Sequence, residues 1–541
     1  MKTNAIYLSI YFFIIIQSGF AQLSENILDI NNFHVPVNSQ GMIGFVEGTG
    51  DLSEVPAGSN IPAFYVSTLW LGAKERITGE VMGCIPSFHV DYNPFKPGPI
   101  YFSDLTIIDS VNYFSKYNRV WKVSEEQIEY HKFNYYKSDY HIPDAILHWP
   151  GNGDTTKGEA KILAPFTDYN MNEIYEPMLG DHPNIKGDQA VYAIYNSNID
   201  DPESLASKME IEVHTMLYAY REFPGNLLNN IVFVNQHIFN RSLTHDYDSL
   251  YAGQFVDFKL GCSTDDFVGS DSSLNLYYSY NGDYDEPCYS GYGNILPAIG
   301  YVTLTHDLFS FMIYIGDGSP LSYPTNVQHG YNYLRALFKD GTHLTYGGSG
   351  YGGTEKINHV FPSDVHDLSG WTEITEGNTP ADRRGVGSMG PFQLSRGNDI
   401  CIEMAFVFSH ADIPGDNTAS VDKLKEDVAQ LNSFYPLMEN ETCVTYKTGT
   451  LPSVDTTSVS DFNIYPNPAG DQLFIQTNLQ ESSVLFAELY DATGRLFNIF
   501  TLVNTQDDQL HEIDTSNIPN GMYLLRINYY GHEFSEKIII H

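Results

Sequence analysis

Three long runs of β-branched and aromatic residues constrain the fold of this chain more than any other feature. They cover residues 209–220, 230–239 and 400–408, and the first begins with strict polar–apolar alternation. Such runs, bounded by loops rich in Gly, Asn, Asp and Pro, are typical of strands with one or both faces buried. They predict a mainly β body, similar to a β-sandwich and joined by long loops.

One segment has a clear helical pattern. Residues 420–431 begin with Ser420, which we expect to cap the helix. The apolar residues of this segment share one face at helical spacing: Val421, Leu424, Val428 and Leu431. No period of tens of residues repeats along the body, which argues against solenoids and propellers.

The first 21 residues predict a secretory signal peptide. Lys2 precedes a weakly polar to apolar run from Ala5 to Ile16, and Gly19 and Ala21 provide small residues before a cut at Gln22. The alternative is a membrane anchor, which needs an apolar run of about 20 residues. The run here is shorter, so we expect export and no transmembrane span in the mature protein.

Charge and cysteine content narrow the class of protein further. The 541 residues contain 67 Asp and Glu against 28 Lys and Arg, a formal net charge of −39. This balance opposes nucleic-acid binding, which needs clustered cations, and permits cation binding. The five cysteines are too few for a disulfide-based scaffold, although Cys262 and Cys288 could pair in an oxidising compartment.

The composition changes near residue 446. Residues 447–461 hold Thr, Ser, Pro and Asp, as linkers do, and several short strand patterns separated by turns follow at residues 462–541. We therefore divide the chain into a signal peptide (1–21), a β-rich body (22–446), a linker (447–461) and a small C-terminal Ig-like β-sandwich (462–541). The length of the body allows two subdomains.

The C-terminal segment carries an ordered series of motifs: Tyr465-Pro466-Asn467-Pro468 with Asp471, Leu489-Tyr490-Asp491 through Gly494-Arg495, Gly521-Met522-Tyr523, and Lys537–Ile540. In this order the motifs closely resemble the type A C-terminal sorting domain of Bacteroidetes type IX secretion cargo. The resemblance implies passage through the periplasm and contact with the type IX machinery and a surface sortase. It implies a secreted or cell-surface protein, and it says nothing about what the body does.

The body also resembles a known group of proteins through motifs that recur in the same order: Trp70–Gly72, His148–Asp154, Ala164–Asp168, Gly180–Pro183, Asp265–Asp271, Asn275–Leu276, Tyr280–Asp283, Gly347–Tyr351, Asp382–Arg384 and Gly390–Phe392. They are similar to an uncharacterised family of large surface or secreted proteins that carry the same sorting domain. The resemblance implies a class of protein and no mechanism.

An acidic segment near residue 170 is a candidate calcium site. Asp168, Asn170 and Asn172 present oxygens at alternate positions, as in the first half of an EF-hand loop, with Asp181 a more distant candidate ligand. Glu173 stands where such loops have glycine, and Glu176 is a further candidate ligand beside Asp181. The relatives of the body often have Asp-Gly where this chain has Asn172-Glu173, and this departure weakens the calcium prediction for the segment. The alternative is a solvated loop that uses these residues to form turns.

A second acidic cluster gives the stronger calcium prediction. The adjacent carboxylates Asp265 and Asp266, with Asp257 and Asp271 on either side, repel one another unless a cation neutralises them. A bound Ca²⁺ would relieve this repulsion. A polar loop without metal is again the alternative.

Enzyme motifs are absent from the sequence: it contains no His-Glu-x-x-His, no Cys-x-x-Cys and no Gly-x-Ser-x-Gly. We expect the glycine-rich segment 347–353 to form turns and the arginines of Asp382–Arg384 to anchor loops through ion pairs. These features favour a non-enzymatic adhesive or ligand-binding body that is stabilised by calcium. The alternative is a secreted glycan-active hydrolase, which needs two carboxylates and could stack sugars on residues 277–280 or 289–292.

Overall fold

The computed structural model describes residues 23–44, 52–86, 93–101, 107–198, 205–314, 318–438, 447–448, 462–477, 483–491, 496–504, 509–529 and 532–541. Contacts between residues divide the chain into two compact units, Met1–Gly449 and Thr450–His541. The predicted signal peptide and all of the predicted linker beyond residue 448 lie outside the described residues.

The first unit is the body, and strands dominate it. In chain order they are β1 (Glu25–Leu28), β2 (Val35–Asn38), β3 (Ile43–Gly44), β4 (Ser53–Glu54), β5 (Pro62–Phe64), β6 (Val66–Glu75), β7 (Val81–Cys84), β8 (Lys96–Pro97), β9 (Trp121–Ser124), β10 (Phe166–Asp168), β11 (His182–Pro183), β12 (Gln189–Asn196), β13 (Ile211–Ala219), β14 (Ile231–Asn240), β15 (Tyr247–Phe258), β16 (Asp266–Asp271), β17 (Leu276–Asn281), β18 (Pro297–Thr303), β19 (Ser310–Tyr314), β20 (Arg383–Leu394), β21 (Asp399–His410) and β22 (Lys447–Thr448).

Helices are fewer and mostly short. The α-helices are α1 (Ile107–Tyr117), α2 (Glu125–Lys132), α3 (Asp144–Leu147), α4 (Val327–Tyr333) and α5 (Asn417–Met438). Turns of 3-10 helix include Thr155–Lys157, Pro177–Leu179, Leu227–Asn230 and Ser272–Leu274. The mainly β prediction is confirmed.

Two large antiparallel sheets form the body. The eight-stranded sheet has the order β1-β2-β3-β6-β15-β20-β19, with β7 on β6. The nine-stranded sheet has the order β16-β17-β18-β21-β14-β13-β12-β8, with β9 on β12. Both contribute to one core, where Tyr301 of the nine-stranded sheet meets Phe258 of β15 in the eight-stranded sheet and Phe64 of the short strand β5. The sheets therefore pack face to face as a sandwich.

The nine-stranded sheet is buried on both faces, which explains its nearly continuous apolar strands. In β14, Val232 and Val234 enter the core between the sheets, while Ile231 and Phe233 enter a second core on the outer face. Helix α5 covers part of that outer face, where Leu424 packs so close to Gly300 that a Cβ there would lie 3.0 Å from it. A sheet covered on both faces has no need for alternating polarity.

Helix α5 confirms the predicted apolar face and corrects its predicted start. Val421, Leu424, Val428 and Leu431 are fully buried, but the helix begins at Asn417. Ser420 lies inside the helix, where its hydroxyl donates to the carbonyl of Leu296. Asp416 takes the capping role, accepting from the amides of Thr418 and Ala419.

The cysteines of the body agree with an oxidising compartment. Cys262 and Cys288 form a disulfide, as the sequence suggested. Cys401 is also disulfide-bonded, and Cys84 is a buried free thiol.

The second unit is a small β domain. Its strands are β23 (Phe462–Tyr465), β24 (Gln472–Thr477), β25 (Ser483–Tyr490), β26 (Leu496–Asn504), β27 (Gln509–Asp514), β28 (Gly521–Tyr529) and β29 (His532–Ile540). They form sheets of the order β23-β24-β27 and β26-β25-β28-β29, which share one apolar core. In the part of the chain that the structure describes, no helix is long and apolar enough to cross a membrane.

Candidate functional site

The outer face of the nine-stranded sheet carries polar side chains on three neighbouring strands. His214 of β13 lies opposite His237 of β14, and Asn235 of β14 lies opposite Glu403 of β21. Residues two apart on a strand share a face, and Phe233 of β14 belongs to the outer core. The four polar side chains therefore lie together on the outer face, beside the apolar residues of the outer core.

Each of the two histidines is held by a carboxylate. The Nε2 atom of His214 lies 2.9 Å from Oε1 of Glu212, and that of His237 lies 2.6 Å from Oδ2 of Asp399. Because an ionised carboxylate only accepts hydrogen bonds, this arrangement assigns the ring proton to Nε2 and leaves a lone pair on Nδ1. Neither Nδ1 atom has a hydrogen-bond partner among the described residues.

Burial sets the charge of these groups. It lowers the pKa of His214 and of His237, although the neighbouring carboxylates oppose the shift. Both imidazoles are therefore neutral at pH 7. Burial raises the pKa of Glu212, but the hydrogen bond from His214, the Arg241 guanidinium and the amide of Ile100 together lower it to about 2.

Glu403 is fully buried beside this pair and is satisfied by three donors. Lys186 approaches to 2.9 Å and Asn235 to 2.8 Å, and the Tyr218 hydroxyl donates to the other carboxylate oxygen. A buried carboxylate without such partners would cost several kcal/mol. This network fixes the position of Asn235 next to the histidines.

These side chains open into a cavity of about 180 Å³, which we call the histidine pocket. Segment 162–165 lines the histidine pocket. The Tyr192 hydroxyl holds this segment in place by donating to the carbonyl of Leu163 at 3.1 Å. The described lining residues are Ile162, Leu163, Ala164, Pro165, Tyr192, His214, Met216, Asn235, His237 and Phe239.

A larger cavity of about 270 Å³ lies between strand β19 and the long segment 318–382. We call it the loop pocket. Its floor is apolar and buried, and its rim is polar. The described lining residues are Ile313, Tyr314, Leu321, Phe338, Gly348, Ser349, Val360, Phe361, Glu373, Asn378, Thr379 and Arg383.

The charged groups of the loop pocket neutralise each other. Glu373 is 1% exposed and accepts from Nε of Arg383 at 2.8 Å and from Nη2 at 3.1 Å. Asn378 donates to the same carboxylate at 2.6 Å. Among the described residues, Nη1 of Arg383 and the hydroxyls of Tyr314 and Ser349 have no hydrogen-bond partner. The predicted anchoring role of Asp382–Arg384 is confirmed, because Arg384 likewise pairs with Asp257 at 2.8 Å.

The structure places the second acidic cluster on strands, where the sequence suggested a loop. Asp257 lies in β15 against Arg384, and Asp271 ends β16, where its side chain accepts from the Ser273 amide and faces Lys425 at 3.5 Å. Asp266 is the first residue of β16, and Asp265 lies in the bend just before it. Over the described ranges, no three His, Cys, Asp or Glu residues are placed so that they could hold a metal ion. Calcium binding stays a prediction.

Asp266 is instead close to another buried carboxyl, that of Glu286. Burial raises the pKa of Asp266 well above its usual value, and the charge of Glu286 raises it further. Burial likewise raises the pKa of Glu286 to about 7 and that of Asp265 to about 6. One side-chain oxygen of Asp265 and one of Asp266 are buried without a hydrogen-bond partner.

The first acidic segment uses its oxygens to hold its own backbone. Asp168 accepts from the amides of Met171 and Glu173, and Asp181 accepts from those of Tyr169 and Glu176. The side-chain amides of Asn170 and Asn172 both donate to a carboxylate oxygen of Glu176, at 3.0 and 2.6 Å. Asp168, Asn170, Asn172 and Asp181 thus lie in one turn structure, and calcium binding there also stays a prediction.

Two further segments that the sequence suggested for sugar stacking or turns, residues 277–280 and 347–353, have roles in the fold. Tyr277, Tyr278 and Tyr280 are buried in the two cores of the body and line neither of the two pockets described above, so they are not available for stacking sugars. Segment 347–353 forms turns, and its Gly348 lines the loop pocket.

Sequence reasoning missed His214, His237 and Glu403. Each interrupts an apolar run with a polar residue, and the interruptions at 212 and 214 and at 235 and 237 recur with period two. Polar residues at alternate positions of a buried strand indicate a shared polar face. This pattern could have predicted the polar group on the outer face of the sheet.

Comparison with known proteins identifies the C-terminal unit. A family described as "Secretion system C-terminal sorting domain" matches residues 463–541. No curated protein matches the chain at a significant level. Among solved structures, the chain is similar to a polysaccharide lyase at 6% identity, covering 63% of this chain and 36% of the lyase, with a TM-score of 0.18. A likeness at that score carries no argument about fold or function.

Proposed function

We propose that the body of this chain, a type IX secretion cargo that is secreted or displayed at the cell surface, is a non-enzymatic module that binds a neutral sugar residue of a glycan. The proposed site is the loop pocket. A module of this kind, exported by its sorting domain, would attach the protein to an extracellular polysaccharide.

The pairing of Glu373 with Arg383 is the observation that carries the proposal. It cancels the only two charges among the described lining residues, and it leaves Nη1 of Arg383, a residue that lines the pocket, without a hydrogen-bond partner among the described residues. The hydroxyls of Tyr314 and Ser349 add groups that can both donate and accept. Hydroxyl groups of a sugar would find both kinds of partner here.

The floor of the pocket supplies the apolar contact that sugar rings need. Phe338 and Phe361 are 2% and 4% exposed, and Tyr314 stacks on Phe255 at a centroid distance of 6.0 Å. Rigid aromatic groups contribute contact area at a low cost in conformational entropy. Since the chain carries a net charge of −39, long-range repulsion disfavours polyanionic glycans.

Binding of the full mature chain to immobilised neutral oligosaccharides tests the proposal, with polygalacturonate as the charged comparison. We expect saturable binding to a neutral glycan and a loss of roughly fivefold or more in Tyr314→Phe, which removes only the hydroxyl. Tyr346→Phe is the matched control, because Tyr346 bonds Ser363 at 3.2 Å. Absence of neutral-glycan binding, or equal affinities for both variants and the unchanged chain, would refute the proposal.

The histidine pocket favours a second candidate, a glycan-active enzyme. A neutral imidazole oriented by a carboxylate is a suitable general base, and the pocket holds two of them. A screen of the mature chain against polysaccharides and chromogenic glycosides tests this alternative. Turnover that is lost in His214→Gln and retained in Tyr314→Phe would favour the enzyme over the binding module.

A further inference from the structure

The histidine pocket contains two imidazole lone pairs that the protein itself does not use. His214 and His237 are direct cross-strand partners on one face, and both line the same cavity. Directly opposite residues of an antiparallel pair have Cβ atoms about 4.5–5.5 Å apart. Two side chains so placed can act on a single bound atom.

The carboxylates behind the two rings fix which nitrogen is available. Glu212 and Asp399 each accept from Nε2, at 2.9 and 2.6 Å, so Nδ1 carries the lone pair in both rings. Histidines that bind metal ions usually donate their other ring N–H to a carboxylate or carbonyl, which orients the ring and increases its basicity. Both histidines of this pocket have that arrangement.

The charges around the pocket suit a cation. Glu212, Asp399 and Glu403 contribute three carboxylates, against the cations of Lys186 and Arg241. Imidazole nitrogen is a preferred ligand of zinc and neighbouring first-row transition metals, and a poor one for calcium.

We propose that the histidine pocket binds a divalent first-row transition metal ion of the zinc type through Nδ1 of His214 and Nδ1 of His237. Within the described ranges no third His, Cys, Asp or Glu joins them as a ligand. The remaining coordination positions are therefore taken by water or by a bound molecule. This makes the site open, unlike a structural site closed by four protein ligands.

Titration of the EDTA-treated mature chain with Zn²⁺ by calorimetry, and with Co²⁺ by visible absorption, tests the proposal. We expect one equivalent to bind and Ca²⁺ not to compete. His214→Gln and His237→Gln keep a donor for the carboxylate but remove the imidazole, and each should weaken binding by roughly tenfold or more.

His366→Gln is the matched control, because His366 forms the same Nε2–carboxylate contact, with Asp422 at 2.9 Å, on the surface. Its binding should equal that of the unchanged chain. Equal binding in all variants, or no saturable site, would overturn the proposal.

A measurement on the unchanged chain covers the case in which a variant does not fold. Anomalous scattering at the zinc edge from zinc-soaked crystals should place the ion about 2.0–2.1 Å from both Nδ1 atoms. Anomalous density only at other positions, or none, would overturn the proposal independently.

Discussion

Glu286 is buried against Gly261 so closely that a Cβ atom at position 261 would lie 1.9 Å from its Oε2 atom. Gly261 also has φ +72°, a conformation that disfavours other residues. The Cys262–Cys288 disulfide joins the same two segments. The close contact with Glu286, the positive φ and the adjacent disulfide thus all constrain the backbone at Gly261.

We predict that Gly261→Ala lowers the free energy of unfolding by about 2 kcal/mol or more, because the added methyl must displace the Glu286 carboxyl. Gly293→Ala is the matched control: φ is +70° there, but no atom lies within 4 Å of the added Cβ. That variant should lose about 1 kcal/mol from backbone strain alone. If urea unfolding shows the same loss of unfolding free energy in both variants, the Glu286 side chain moves aside without destabilising the protein, and the prediction is wrong.

The buried carboxyls Asp266 and Glu286 predict a contribution to stability that falls as pH rises. The raised pKa values of Asp266 and Glu286, the latter about 7, favour the protonated forms in the folded state. Their stabilisation is complete below the ordinary carboxyl pKa of about 4 and is lost as pH rises through the folded values. The contribution of these two carboxyls to the unfolding free energy should therefore decline from pH 4 to pH 8, whereas buried histidines such as His214, whose pKa is lowered, contribute in the opposite direction up to about pH 6.5.

Asp266→Asn should remove part of this decline. The variant resembles the protonated carboxyl and keeps an acceptor for the Leu260 amide. We expect it to exceed the unchanged chain by about 1–3 kcal/mol at pH 8, and to equal it near pH 4. Asp285→Asn, which removes an exposed charge nearby, should leave the pH profile as it was. Equal unfolding free energies of Asp266→Asn and the unchanged chain across this pH range would contradict the assignment.

Calcium binding at Asp265 and Asp266 would stabilise the protein at high pH, where protonation of the buried carboxyls does not. If Ca²⁺ neutralises Asp265 and Asp266, it should raise the melting temperature at pH 8, with reversal by EDTA at fixed ionic strength. A concentration one hundred times Kd would add about 2.7 kcal/mol. Asp265→Asn should reduce this effect. An unchanged melting temperature would leave protonation as the means of neutralisation.

In the sorting domain, the side chain of Asn467 joins the entry motif to the last strand. Its amide donates to the carbonyl of Lys537 at 2.6 Å, and its carbonyl accepts from the Ile539 amide at 3.0 Å. Asn467→Ala removes both bonds, and we expect a loss of about 1–2 kcal/mol. The exported fraction of the protein in culture should fall. Asn517→Ala should be exported normally, because among the described residues the Asn517 side chain hydrogen-bonds only to Ser516.

The sequence predicted strands and their burial well, because periodicity reports which residues face a core. The runs at 209–220, 230–239 and 400–408 became β13, β14 and β21. Periodicity does not report which strands pair. The hydrogen bond between Asn235 and Glu403 joins residues 168 positions apart. The histidine pocket follows from that pairing, so it could not be located before the structure.

The acidic segments show that local sequence does not predict the ionic partners of buried carboxylates. Asp257 and Asp271 looked like turn or metal residues because carboxylates are scarce inside strands. Each has a cation placed by a distant part of the chain, Arg384 and Lys425. Local composition cannot reveal such partners. Where partners are local, as for Asp168 with the amides of Met171 and Glu173, the turn interpretation agrees with the geometry.

The position of β21 in the nine-stranded sheet has a consequence for synthesis. It enters between β18 and β14, so without residues 399–410 these two strands are bare edges of separate half-sheets. A ribosome must therefore complete about three quarters of the polypeptide before the two halves can join. Until residues 399–410 are in place, both edges lack a partner strand and are open to aggregation.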